Sequence, residues 1–199
     1  MTADPMRDLD ADPVDIHLLT IGEYAALGET EHGYTELVEG RLLLSPSLAF
    51  RHGRAMRRLY QQLLTQSPAD LEVVLEQDVD LELAPIDEPG SSRRPDLMVV
   101  RLEVGDQLTA DGGMVPASEV LLAVEIVSPS SRRIDHAHKR QDYADAGIPN
   151  YWIIDTDDPV SLTSCRLTEE FGYLDDQTAT GVFRTDVPFP VEVNLGRLV

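Results

Sequence analysis

Residues 120–127, Val120-Leu-Leu-Ala-Val-Glu-Ile-Val127, form an apolar run broken only by Glu125. A strand with one wet face alternates apolar and polar side chains, whereas a run without alternation has to be covered on both faces. Ser128-Pro-Ser-Ser131 then supplies turn and N-cap chemistry for a helix from about Arg132 to Ala146, which Gly147 and Pro149 stop. Tyr151-Trp-Ile-Ile154 follows as a second buried strand. Strand, helix and strand with short joints make a crossover unit, and its second strand runs parallel to the first. The chain is therefore expected to build a layered α/β sheet.

The other segments fit around that unit. Residues 1–15 are rich in Asp and Pro with little to bury, and a disordered acidic arm is expected there, followed by a single domain over 16–199. Thr20-Ile-Gly-Glu23 has the form of a capping box and opens a short helix to about Leu27. Tyr34 to Ser45 reads as a hairpin turned at Glu39-Gly40. From Ala49 to about Gln66, Met56, Leu59, Leu63 and Leu64 form an apolar helical stripe, with Arg51, Arg54 and Arg58 on another face. Leu71 to Leu83 alternates as a strand or a bent pair, and Ile86 to Arg94 reads as a loop. Asp96 to Arg101 is a further apolar strand, joined to the strand at Glu119–Val127 through a turn at Asp111-Gly-Gly113. Beyond Pro159, short alternating segments indicate an antiparallel extension.

Net charge is −20, which at first sight argues against a nucleic-acid partner. Its distribution weakens the objection. Eight acids fall between Met1 and Glu31 against Arg7 alone, while ten of the sixteen basic residues lie in three short segments around Arg51–Arg58, Arg93–Arg94 and Arg132–Arg140. The single cysteine, Cys165, rules out an intramolecular disulfide and fits a reducing cytoplasm. No apolar run approaches the ~18 residues of a membrane span, and the N-terminus lacks the apolar core of a secretory signal.

Chemistry concentrates on three residues. Glu125 inside a covered strand would cost several kcal/mol if charged and unpartnered, so it is exposed at the strand end, neutral, ion-paired or bound to a cation. Asp96 stands at the edge of the other apolar strand, and neighbouring strands can bring two carboxylates within a few Å. Hard cations such as Mg²⁺ or Mn²⁺ take oxygen ligands of this kind. Lys139 is the only lysine in the chain, fourteen residues after Glu125, and an ammonium reaches a phosphate or bound water where the broad arginine fork does not always fit. Asp135 and Lys139 also form an ordinary i,i+4 helix pair. Ser128 and Ser130 are explained by capping, and Tyr143, Tyr151 and Trp152 by core packing.

The pattern resembles the Uma-two family of restriction endonuclease-like proteins, within the PD-(D/E)xK nuclease superfamily. The resemblance spans about residues 20–165. It rests on Tyr34-Thr-Glu-Leu-Val-Glu-Gly40, Ser45-Pro-Ser with His52, and Pro95-Asp-Leu-Met-Val-Val100. Most specific is Val124-Glu-Ile-Val-Ser-Pro-Ser-Ser131 leading into Asp135, Lys139, Tyr143, the glycine-containing turn to Pro149, and Tyr151-Trp-Ile-Ile-Asp155. It implies a central mixed sheet flanked by helices, with Asp96 and Glu125 as metal ligands. The superfamily's lysine normally stands two residues after the Glu, where this chain has Val127; the resemblance implies that Lys139, from the following helix, takes its place. Glu36 matches an early acidic position as a further ligand or the holder of a metal water, and His52 and Asp135 are possible site members. Arg51, Arg54, Arg58, Arg132 and Arg133 are the candidates for holding DNA.

A divalent-metal-dependent DNA endonuclease is thus the leading expectation, as a homodimer because cutting two strands with one site per chain requires two copies. The alternatives are a catalytically inactive module that keeps the nuclease fold for binding or assembly, and a metal-dependent hydrolase of small phosphate esters with a narrow pocket.

Overall fold

A computed structural model describes residues 17–28, 33–44, 49–127 and 135–199, without the side chains of Asp135 and His136. Chain order begins with helix α1 (Ile21–Leu27), whose N-cap Thr20 and Glu23 form the expected capping box. Strands β1 (Thr35–Val38) and β2 (Arg41–Leu44) make the hairpin. Its turn residues Glu39 and Gly40 both take positive φ, 47° and 76°. A side chain at position 40 would meet Leu18 Cβ at 2.7 Å, so glycine is demanded there twice over.

Helix α2 (Phe50–Leu64) buries Met56, Leu59 and Leu63 as predicted. Leu64 departs from the stripe and is 52% exposed, because one residue along a helix turns the side chain ~100° away. The Leu71–Leu83 segment divides into β3 (Leu71–Leu75) and β4 (Val79–Asp80), which join different sheets. The expected loop at 86–94 contains a strand, β5 (Ser92–Arg93), paired antiparallel with both β1 and β4. Composition hid it because Arg93 is buried in the company of carboxylates rather than of apolar side chains. Strand β6 (Leu97–Arg101) is followed directly by a helix that periodicity did not reveal, α3 (Leu102–Asp111). Only Val104 of α3 is buried, and Gly105 lowers its helix propensity. Next come β7 (Val115–Pro116) and β8 (Val120–Val127), then α4 (Asp135–Asp145) and β9 (Asn150–Asp155). The predicted helix start at Arg132 lies outside the described residues. Strands β10 (Ser161–Thr168), β11 (Gly172–Thr180), β12 (Val182–Thr185) and β13 (Val191–Asn194) complete the chain.

The central sheet has the order β11-β10-β9-β8-β6-β3 and is mixed. β8 and β9 are parallel, as the crossover requires, and its other neighbours pair antiparallel. A smaller sheet, β2-β1-β5-β4-β7, stands beside it, and β12-β13 form a separate antiparallel pair. One face of the central sheet carries Leu97, Val99, Leu122, Val124, Trp152 and Ile154, packed with α2 and the β12-β13 ribbon through contacts such as Trp152–Phe183 at 5.1 Å. The other carries Met98, Val100, Ala123 and Tyr151, packed with Tyr143 of α4 and Ile148. Burial on both faces is why residues 120–127 read as unbroken hydrophobe. It also leaves any charged side chain on β8 with only its strand end, or a partner, to turn to. No helix among the described residues is long and apolar enough to cross a membrane.

Candidate active site

Leu97 of β6 lies opposite Val124 of β8. One step further along the same antiparallel register, Asp96 faces Glu125, and directly opposed residues point to one side of the sheet. Both acids therefore emerge on the α4 side, at the end of β8 from which the chain leaves for α4. Asp96 is held by two donors: His52 Nε2 of α2 at 2.8 Å from Oδ1, and the Ile126 backbone N–H at 2.6 Å from Oδ2. Glu125 Oε1 accepts from Lys139 Nζ at 3.0 Å and from Tyr143 O–H at 2.8 Å. Lys139 and Tyr143 are one helical turn apart on α4, so one helix face presents both donors. The sole lysine is 8% exposed and points into the cluster, not to solvent.

Glu36, from β1, belongs to the same cluster in a different capacity. Its Oε1 lies 3.0 Å from Lys139 Nζ and accepts the Arg94 N–H at 3.1 Å, and its Oε2 accepts from Arg93 at 2.8 Å. Both oxygens are thus committed to protein donors. In this arrangement Glu36 holds the amine. Arg93 in turn grips Asp142 of α4 through Nε at 2.7 Å and a terminal nitrogen at 2.6 Å. The chain Asp142–Arg93–Glu36–Lys139–Glu125 alternates in charge and ties α4 to the small sheet and to β8.

The electrostatics follow from burial. Burial pushes the Glu125 carboxyl up to about 8, with Asp96 and Glu36 adding to the rise and Lys139 opposing it. Burial also pushes Glu36 upward, yet Lys139, Arg93 and the Arg94 amide outweigh it and hold that carboxyl below its ordinary range. For His52, burial lowers the pKa, but the hydrogen bond and charge of Asp96, then Glu125, raise it on balance. Among the described residues four carboxylates (Glu36, Asp96, Glu125, Asp142) face two permanent cations (Arg93, Lys139) in this cluster. The imbalance suits one divalent cation; without one, protons on Glu125 and His52 are what burial can tolerate.

Among the described residues no group of three His, Cys, Asp or Glu converges as a cation cage. Two carboxylates with water and phosphate oxygens completing the shell is how Mg²⁺ is commonly held, so the donor set fits that ion and not a protein-enclosed one such as structural zinc. Neither of two concavities elsewhere, a cleft of about 250 Å³ beside Tyr34 and Arg94 and a groove of about 500 Å³ along α3, is lined by Asp96, Glu125 or Lys139.

The remaining predicted residues separate. Arg51 is exposed and donates to the Thr156 carbonyl, and Thr156 O–H reaches the Val127 carbonyl at the end of β8. Arg54 lies over the Phe50 ring at 4.9 Å. The Arg58 guanidinium donates to the Arg197 and Val199 carbonyls at 3.1 and 2.8 Å, fastening the C-terminal turn to α2. Arg132, Arg133, Ser128, Ser130 and the Asp135 side chain lie outside the described residues. Sequence reasoning missed Arg93, Asp142 and the hydroxyl of Tyr143. For Asp142 and Tyr143 the available signal was helical spacing, since both share the Lys139 face of α4. Cys165 is buried, and burial pushes its thiol up to about 12, as a structural hydrophobe requires.

Comparison with known proteins agrees with this architecture. The Uma2 family model, described as "Putative restriction endonuclease", matches residues 21–191. A solved structure described as "a putative nuclease belonging to DUF820" from Anabaena variabilis ATCC 29413 superposes with a TM-score of 0.64 at 18% sequence identity, over 90% of this chain and 97% of that one. Among curated proteins none matches.

Proposed function

The chain belongs to the Uma2 restriction-endonuclease family, and from that membership we propose that it is a divalent-metal-dependent DNA endonuclease, with Asp96 and Glu125 as the cation ligands and Lys139 as the catalytic amine. The observation that carries the reading is the convergence of β6, β8 and α4 on one cluster: two carboxylates opposed across a strand pair, and the sole lysine 3.0 Å from one of them. A bound Mg²⁺ or Mn²⁺ would supply Lewis-acid polarisation of the phosphate and a lowered pKa for an attacking water. Asp96, fixed by His52 and the Ile126 amide, and Glu125, fixed by Lys139 and Tyr143, orient their oxygens before substrate arrives. Lys139 brings positive charge to where the phosphate gains negative charge, a form of preorganised stabilisation. Arg51, at the β8 end of the cluster, meets the DNA backbone, and a homodimer serves the two strands.

The test is direct. Purified protein with supercoiled plasmid or a single-stranded oligonucleotide is expected to cleave with Mg²⁺ or Mn²⁺ and to stop with EDTA. Absence of both cleavage and Mn²⁺ binding would leave the net charge of −20 and the nuclease fold as those of a non-catalytic assembly module.

A pH dependence follows from the raised Glu125 carboxyl. Cation binding has to displace its proton, so Mn²⁺ affinity should climb about tenfold per pH unit on the acid side and flatten as pH passes about 8. Calorimetry in two buffers of different ionisation enthalpy measures the released proton directly. An affinity flat between pH 6 and 8, within about twofold, would contradict the assignment of Glu125 as a ligand.

A further inference from the structure

Glu125 is buried, yet its two oxygens are treated unequally. Oε1 takes both the Lys139 ammonium at 3.0 Å and the Tyr143 hydroxyl at 2.8 Å, while the described residues place no donor on Oε2. Tyr143 is fully buried, and its ring packs edge-on against Tyr151 at 5.4 Å, so the hydroxyl position is set by core packing rather than by the carboxylate it meets. We propose that Tyr143 is a positioning residue for the cation site: with Lys139 it occupies Glu125 Oε1, fixes the carboxylate plane, and leaves Oε2 as the oxygen presented to the metal. The proposal rests on the metal-dependent reading of the same site. Its logic is that of outer-shell partners generally, which orient a ligand without touching the ion.

Tyr151 provides a matched control. Its hydroxyl is buried and has no hydrogen-bond partner among the described residues, and its ring packs against Tyr143 from β9. Tyr143→Phe and Tyr151→Phe therefore delete the same atom from neighbouring rings, one with a contact to the ligand and one without. Removing a partnerless buried hydroxyl leaves stability unchanged or higher.

Mn²⁺ titration by calorimetry, with thermal unfolding of each protein alongside, separates the outcomes. Tyr143→Phe is expected to weaken Mn²⁺ binding about tenfold or more, Tyr151→Phe to bind as the wild type does, and Glu125→Gln to abolish binding. If Tyr143→Phe binds normally while Glu125→Gln does not, the positioning role is wrong and the metal site stands. Equal weakening by both phenylalanine variants would trace the effect to packing and overturn the proposal. A wild type that binds no Mn²⁺ overturns the metal reading and this inference together. Should Tyr143→Phe not fold, the wild type alone decides: in a Mn²⁺-bound crystal the ion should meet Oε2, and an ion on Oε1 would refute the proposal.

Discussion

Glu125→Gln should lose metal-dependent DNA cleavage by at least ~10³-fold while the protein becomes more stable. On the proposed metal-dependent reading, the loss follows because a bound cation would contribute several kcal/mol of transition-state stabilisation and would need a charged oxygen to hold it. The gain follows from burial. A carboxyl whose folded pKa stands at about 8, above its unfolded value, keeps its proton in the folded state, so stability falls as pH rises from the unfolded pKa to about 8 and is level beyond. Glutamine has no proton to lose. Its melting-temperature advantage over the wild type should therefore widen between pH 5 and 8 and then stay constant. Activity and stability moving in opposite directions is the mark of a functional carboxylate; a variant that is both inactive and less stable at pH 8 would make Glu125 a structural ion-pair member instead.

Arg93→Met should be the most destabilising single substitution in the cluster. Arg93 is 3% exposed and joins Glu36 to Asp142; its loss leaves half-buried Asp142 without this partner and removes the donor on Glu36 Oε2, while Lys139 and the Arg94 amide stay on Oε1. Breaking a buried pair by removing one partner costs about 3–5 kcal/mol, which for a chain of this length lowers the melting temperature by on the order of 10 °C. Adding Asp142→Asn to Arg93→Met should recover part of that loss, because the charge left without its partner is then removed as well. A shift below about 2 °C would show that solvent reaches the cluster more freely than its burial indicates. Lys139 is only as well placed as the carboxylate that shares it, so Arg93→Met should also reduce cleavage in protein that remains folded.

The features visible in the sequence were those that apolar patterning announces. Residues 120–127 and 151–154 were unbroken because both faces of the central sheet are covered; Glu125 stood out as a charge inside such a run and Asp96 as one at the edge of another. Lys139 was visible through its rarity and its place on the helix after the strand. What patterning could not show was who neutralises whom. Arg93 sat in a segment rich in Pro, Gly and Ser, and a strand of two residues has no periodicity; only the small sheet, closing over β1 and β4, makes it buried. Tyr143 looked like core and is core, but its hydroxyl is aimed by tertiary packing that spacing does not encode. Helix α3 escaped for the opposite reason, since an element with one buried residue leaves almost no apolar signature.

The Asp96–Glu125 pair is tested most directly by anomalous diffraction at the manganese edge from a crystal grown with Mn²⁺. The expected result is one strong peak bonded to an oxygen of Asp96 and an oxygen of Glu125, at the ~2.0–2.2 Å usual for small hard divalent ions, with Lys139 Nζ beside it and water filling the open positions. A fully occupied lattice position elsewhere with no density between these two acids, and Lys139 still closed on Glu125, would contradict it.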